Sequence, residues 1–151
     1  MLRRATSADA AAVTALVTAA YTPYVARIGR PPAPMGVDYA ALIAGGDDVT
    51  VLEVDGVLVG VVVATVESDH VHVEMVAVAP SERGRGYGRA LLDHAERLAV
   101  ANGRVQVRLY TNAAMTENLA MYPRLGYVEV DRRRQDGFDR VFFVKHLDGT
   151  V

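Results

Sequence analysis

Apolar residues recur along this chain in two rhythms, and each change of rhythm marks an element boundary. Residues 2–5 read as a short strand. Ser7 and Asp9 then supply N-cap chemistry for an alanine-rich helix over 8–21. Residues 22–37 carry four prolines, too many for one continuous helix. A short helix over 38–44 ends at Gly45-Gly46. Residues 50–54 and 57–67 are β-branched runs joined by Asp55-Gly56, the pair that a tight two-residue hairpin prefers. Residues 71–78 form the next strand. From 87 to 101 the pattern changes to three- and four-residue spacing, burying Leu91, Leu92, Ala95, Leu98 and Ala99, until Asn102-Gly103 ends the helix. Residues 104–110 alternate as a strand, 115–122 are helical, and 127–133 with 140–147 close as a hairpin.

This order predicts a mixed α/β (α+β) fold: a mainly antiparallel sheet flanked by helices. Strand 71–78, helix 87–101 and strand 104–110 form a crossover, which makes those two strands parallel. With 151 residues and no internal repeat, the expectation is a single domain over 1–151. Hydrophobic residues are 51% and charged residues 23%, so a packed core is affordable without unusual chemistry. A net charge of -2 argues against a general nucleic-acid or membrane-surface binder, because the arginines cluster locally at 83–89 and 132–134. The absence of cysteine excludes disulfides, thiolate metal sites and a cysteine acyl-enzyme. MLRRATSADA has no apolar signal core and no segment reaches 18 uninterrupted apolar residues, so the expected setting is cytoplasmic.

The chemistry concentrates between the fourth and fifth of these strands. The apolar strand runs through a proline turn into Arg83-Gly84-Arg85-Gly86-Tyr87-Gly88-Arg89, and a helix follows at once. Strand, glycine-rich loop and helix together make an anion site: glycines let the backbone approach a ligand, and the unpaired N–H groups of the helix start point at it. A phosphorylated ligand on residues 83–89 is the reading. It is not a Walker loop, since Arg89-Ala90 stands where Lys followed by Ser or Thr is required. It is not a dinucleotide fingerprint, since Arg89 stands where the third glycine belongs. The spacing that fits is Arg/Gln-x-x-Gly-x-Gly/Ala, met by Arg83, Gly86 and Gly88.

On that loop the chain resembles the GNAT superfamily of N-acetyltransferases. Asn118-Leu119-Ala120-Met121-Tyr122 leading to Leu125-Gly126-Tyr127 is similar to a second signature of that family. The resemblance implies acetyl-CoA as acyl donor, with its pyrophosphate on the loop and its pantetheine arm in a gap between two splayed parallel strands. It implies main-chain contacts from Val76, Ala77 and Val78, a hydrogen bond from Asn118, and Tyr122 as acid toward the coenzyme sulfur. Pro123 departs from the pattern, because proline directly after that tyrosine removes a helical hydrogen bond.

An ammonium group must lose a proton before it attacks a thioester, so a base is required. By period-two alternation His70, His72, Glu74 and Val76 share one strand face, which makes Glu74 the first candidate, His72 the second and a water relay or a residue elsewhere the third. A strand bulge would rotate some of these side chains away. In the resembling family the segment between the first two strands lines the acceptor pocket. Here it offers Tyr21, Tyr24, Arg27 and Arg30, suited to a small primary amine that carries a carboxylate, such as an amino acid, or to a peptide terminus, with His72 also on the acceptor side. No nucleic-acid or membrane partner is expected, and a homodimer would be ordinary for the family. Two rival readings stand beside this one. His70, His72 and Glu74 make a two-histidine, one-carboxylate metal set. A coenzyme-A-binding domain without catalysis would keep the loop and Asn118. No metal is expected in the acetyltransferase reading, and no G-x-S-x-G supports a serine hydrolase.

Overall fold

Residues 57–66 read VLVGVVVATV, and this largely apolar run is an interior strand of the sheet, buried from residue 59 to residue 64. The structure, a computed structural model describing residues 1–148, has seven strands. They are β1 (Leu2–Arg4), β2 (Asp48–Val54), β3 (Val57–Val66), β4 (Val71–Val78), β5 (Gln106–Asn112), β6 (Val128–Gln135) and β7 (Phe138–His146), in the spatial order β1-β2-β3-β4-β5-β7-β6. Every pairing is antiparallel except β4 with β5. Four helices cover the faces: α1 (Ala10–Ile28), α2 (Tyr39–Ala44), α3 (Tyr87–Ala101) and α4 (Thr116–Arg124). The mixed, mainly antiparallel sheet with one parallel pair is the architecture the sequence predicts. Among the described residues no helix is long and apolar enough to cross a membrane.

The sheet separates two cores. On one side Leu91, Leu92, Ala95 and Ala99 of α3 and Tyr122 of α4 pack on Val62, Ala64, Val71, Val73, Val107 and Phe143. On the other, Val13, Leu16, Val17 and Ala20 of α1 and Tyr39 of α2 pack on Val49, Val51, Val61, Val63, Met75 and Ala77. Arg3 grips the Asp9 carboxylate at 2.8 and 2.9 Å, tying β1 to the start of α1 and holding that carboxyl well below its usual range.

Several boundaries differ from expectation, for identifiable reasons. Ser7–Asp9 is a 3₁₀ turn with Thr6 as N-cap, whose N–H donates to Asp9 at 2.7 Å. α1 does not stop at 21 but runs through Pro23 to Ile28, because Tyr21 and Tyr24 bury in the core and outweigh one missing backbone bond. α4 likewise runs through Pro123 to Arg124, where the proline falls in the last turn and the lost bond costs little. β5 begins two residues later than predicted, at Gln106.

Gly60 sets how closely α3 approaches the sheet. A Cβ there would stand 2.8 Å from Leu91 Cδ1, and Leu91 is fully buried. Gly60→Val is therefore expected to lower stability by about 1–3 kcal/mol through overpacking, read as a fall in the thermal unfolding midpoint.

Candidate active site

The parallel pair β4–β5 is short: Val71 pairs with Val107, His72 with Arg108 and Val73 with Leu109, and there the pairing ends. Beyond it each strand keeps its outer neighbour, β4 with β3 as far as Val78 and β5 with β7 as far as Asn112. The two strands thus splay apart into a gap with free backbone groups on its walls. One of these, the Val76 carbonyl, accepts a hydrogen bond from the Tyr21 hydroxyl at 3.3 Å.

The gap opens at a bulge. On β3, Val63 pairs with Met75 and the next residue, Ala64, pairs with Val73, which leaves Glu74 without a partner. The extra residue reverses the faces of the strand. Val71 and Val73 point into the α3 core, whereas Met75 and Ala77 point into the α1 core and Val76 and Val78 pack on the α3 side. Simple alternation therefore misplaces one residue: His72 and Glu74 stay together, but Val76 lies on the opposite face.

Two clefts occupy the gap and meet within it. The larger, about 570 Å³, is lined by Val76, Ala77 and Val78, the loop from Glu82 to Arg89 except Arg85, and Asn118, Met121 and Tyr122 of α4. Its loop is glycine-rich and ends at a helix start. Gly84 and Gly86 both hold φ near +80°, a conformation that L side chains adopt only under strain, and space for a Cβ is open at both. Gly86 is also the N-cap of α3, so the unpaired N–H groups of the helix start face the cleft. Arg83 is anchored to the Ala20 carbonyl at 3.3 Å. Arg85 turns outward to Glu82 at 3.3 Å, while Tyr87, Gly88 and Arg89 line the wall.

The smaller cleft, about 160 Å³, lies on the other side of the gap. Tyr21, Val76, Met115, Asn118 and Tyr122 line both. Asn118, which lines both clefts, donates to Thr111 Oγ1 at 3.1 Å. Tyr122 is buried, its ring wedged against Tyr127 at 5.8 Å and Phe143 at 5.4 Å. Pro123 follows it inside α4 without ending the helix. Burial pushes the Tyr122 phenol well above the usual tyrosine range, so it stays protonated.

Glu74 lines the smaller cleft and is half exposed. His72 Nε2 stands 3.5 Å from its Oε2, and Thr65 Oγ1 donates to its Oε1 at 3.5 Å. These contacts, His72 first, hold its carboxyl below the usual glutamate range. His72 itself faces a separate shallow cleft with His70, Arg108 and His146, its ring 5.8 Å from Tyr110. His70 pairs with Asp69 at 2.6 Å, and among the described residues no three His, Cys, Asp or Glu are grouped to hold a metal ion.

The tyrosines and arginines of α1 and of the residues just after it divide between roles. Tyr21 lines both clefts. Tyr24 lines the larger one and donates to Glu117 at 2.8 Å. Arg27 is bound to the same Glu117 at 2.6 Å on the surface, so the pair laces α1 to α4. Arg30 stacks on Phe138 at 3.7 Å and donates to the Asp136 carbonyl at 2.7 Å. The smaller cleft is lined instead by Pro32, Pro34, Val37, Tyr110, Phe138 and Arg140 among others. Tyr110 and Phe138 carried no signal in the sequence, and Arg140 only that of lying in the last hairpin.

The family model described as acetyltransferase (GNAT) matches residues 13–127 of the chain. Among solved structures, the chain is similar to a GCN5-related N-acetyltransferase from Rhodopseudomonas palustris, at 25% identity and a TM-score of 0.78, over 97% of this chain and 95% of that one. It is also similar to the ribosomal-protein-S18-alanine N-acetyltransferase of Escherichia coli, at 21% identity and a TM-score of 0.77, over 97% and 93% of the two chains. A third likeness is to yncA from Salmonella typhimurium, solved with its cofactor acetyl-CoA, at 23% identity and a TM-score of 0.75, over 100% and 95%.

The bulge makes one electrostatic prediction. Removing the imidazole in His72→Ala is expected to raise the Glu74 carboxyl toward the ordinary glutamate value, measured by carbon-detected NMR titration of labelled glutamate.

Proposed function

The chain belongs to the acetyltransferase (GNAT) family, and on that premise we propose that it moves an acetyl group from acetyl-CoA to a primary amine, by direct transfer within a ternary complex. Acetyl-CoA is the acyl donor of this family. The observation that carries the proposal is the meeting of two clefts of unlike lining at Val76 and Tyr122, one with an anion loop at its far end and the other with a carboxylate. The whole chain is read as one catalytic domain, with a small molecule or a peptide terminus as acceptor.

In this reading the coenzyme pyrophosphate lies on Arg83, Gly84, Arg85, Gly86, Tyr87, Gly88 and Arg89, held by backbone N–H groups at the positive end of α3. The pantetheine arm runs along Val76, Ala77 and Val78, and Asn118 hydrogen-bonds it. The acyl carbon then sits where the clefts join. Pairing of the arm with β4 replaces the missing neighbour strand, so free backbone groups of the gap become ligand contacts. The oxyanion of the tetrahedral intermediate is stabilised by a main-chain N–H near Val76.

Glu74 receives the acceptor. Its lowered pKa keeps it ionised through neutral pH, so it attracts an ammonium group and accepts a proton from it, directly or through a water. The neutral amine nitrogen bonds to the carbonyl carbon, the carbon–sulfur bond breaks, and the second proton left on the new amide nitrogen passes through water to the departing thiolate. Tyr122 offers its phenolic hydrogen to the departing sulfur. Since burial raises its pKa, that contribution is a hydrogen bond strongest in the transition state, without a stable tyrosinate. Tyr24 and Arg27, joined to Glu117, frame the coenzyme side of the entrance, and His72 orients Glu74 from behind.

Calorimetric titration of the purified protein with acetyl-CoA tests the donor site, and Gly86→Val is expected to weaken binding by about tenfold or more, because a β-branched residue resists φ near +80°. Thiol release with a panel of amines tests the transfer. Glu74→Gln and Tyr122→Phe should each lower kcat by about 100-fold while coenzyme affinity stays near wild type. A Glu74→Gln enzyme as fast as wild type at every pH would remove Glu74 from the mechanism.

A further inference from the structure

The smaller cleft carries two charged side chains among its lining residues, Glu74 and Arg140. Arg140 is unusual for an arginine: only 7% of it is exposed. Its Nη1 donates to Gln135 at 2.8 Å and to Asp136 at 3.2 Å. Its Nη2 and Nε have no protein partner among the described residues, and neither is sealed from solvent in the way the Tyr127 hydroxyl is. The guanidinium lies over the Tyr110 ring at 4.3 Å and is 5.5 Å from the Phe138 ring. It is thus held flat by aromatic faces, fixed at one nitrogen, and offers its remaining fork of donors to the cleft. A planar fork of this kind matches a carboxylate with two parallel hydrogen bonds.

Position completes the argument. Glu74 follows Val73, which pairs with Leu109, so it stands level with Tyr110 at the opening of the gap. Arg140 pairs with Asn112, two residues further along β5. Tyr110 lies between them, its ring under Arg140 on one side and beside His72, the partner of Glu74, on the other. The rest of the cleft is mainly apolar, with Pro32, Val37, Leu42 and Phe138, beside polar Thr111, Asn112 and Asn118. At about 160 Å³ the space suits one small molecule rather than a run of peptide. Arg30, stacked on Phe138 and bonded to the Asp136 carbonyl, joins the end of α1 to the β6–β7 turn beside it.

We infer that Arg140 is the carboxylate anchor of the acceptor cleft, and that the acceptor is a free α-amino acid with a small apolar side chain. The inference rests on the acetyltransferase reading and narrows it: a zwitterion places its ammonium at Glu74 and its carboxylate at Arg140. A peptide terminus has an amide where the carboxylate belongs, and a simple amine has nothing there. Either leaves the fork of Arg140 facing only water.

The test measures thiol release from acetyl-CoA with L-leucine, L-leucinamide and 3-methylbutylamine, using wild type, Arg140→Gln and Arg140→Lys. Wild type is expected to prefer leucine over leucinamide in kcat/KM by about 10- to 100-fold, the worth of a charge-assisted pair. Arg140→Gln should collapse that ratio toward one, chiefly through KM for leucine, and Arg140→Lys should restore part of it. Equal use of acid and amide by wild type, or a loss in Arg140→Gln that is the same for all three amines, overturns the anchor and leaves the acetyltransferase reading intact. If none of the three releases thiol, that reading fails for this acceptor class, and calorimetric titration of leucine into the coenzyme-A-loaded protein decides the anchor separately. Binding that Arg140→Gln abolishes supports it, and no binding overturns it.

Discussion

Everything at the site follows from the early end of one strand pairing. β4 and β5 are parallel neighbours for three register positions and are then held apart by their outer partners, β3 and β7, which stay paired along their length. A parallel pair inside an otherwise antiparallel sheet has no short turn to hold it, and its connection is the whole of α3 with its loop. In the gap that results, backbone hydrogen-bonding groups of two central strands lack a strand partner. A ligand with an amide-rich arm satisfies them at little conformational cost, because the strands are already rigid.

The bulge at Glu74 makes the gap chemically useful. Without it, one face of β4 would be apolar throughout and the other would carry His72, Glu74 and Val76 together. With it, Met75 and Ala77 fill the α1 core, Val76 and Val78 close the α3 side, and Glu74 is left at the mouth of the gap. Around this point the helices are laced together. Tyr21 reaches from α1 to the Val76 carbonyl, and Tyr24 and Arg27 share Glu117 of α4. The same helices that bury the core therefore form the walls of both clefts.

How much of this was legible in the sequence depended on how local the cause was. The strand, loop and helix around residues 83–89 could be read because Arg83, Gly86 and Gly88 lie within six residues and the flanking strand and helix announce themselves by period. β4 and α3 fall at the predicted residues for the same reason. Pro23 was misleading: a proline taken alone ends a helix, and only the burial of Tyr21 and Tyr24 explains why α1 continues. The bulge was anticipated as a possibility, but its position was not, since it depends on how β3 pairs. Arg140 was the least legible, because its burial comes from Tyr110 and Phe138 and from a register that the sequence does not display.

The central claim, that the splayed edge of β4 is where the donor's arm pairs, is tested most directly by amide hydrogen exchange with and without saturating acetyl-CoA. Slower exchange confined to residues 74–78 of β4 and to the 83–89 loop, with little change along β2 and β3, is the predicted result. Saturable binding that leaves the exchange of residues 74–78 unaltered would contradict it.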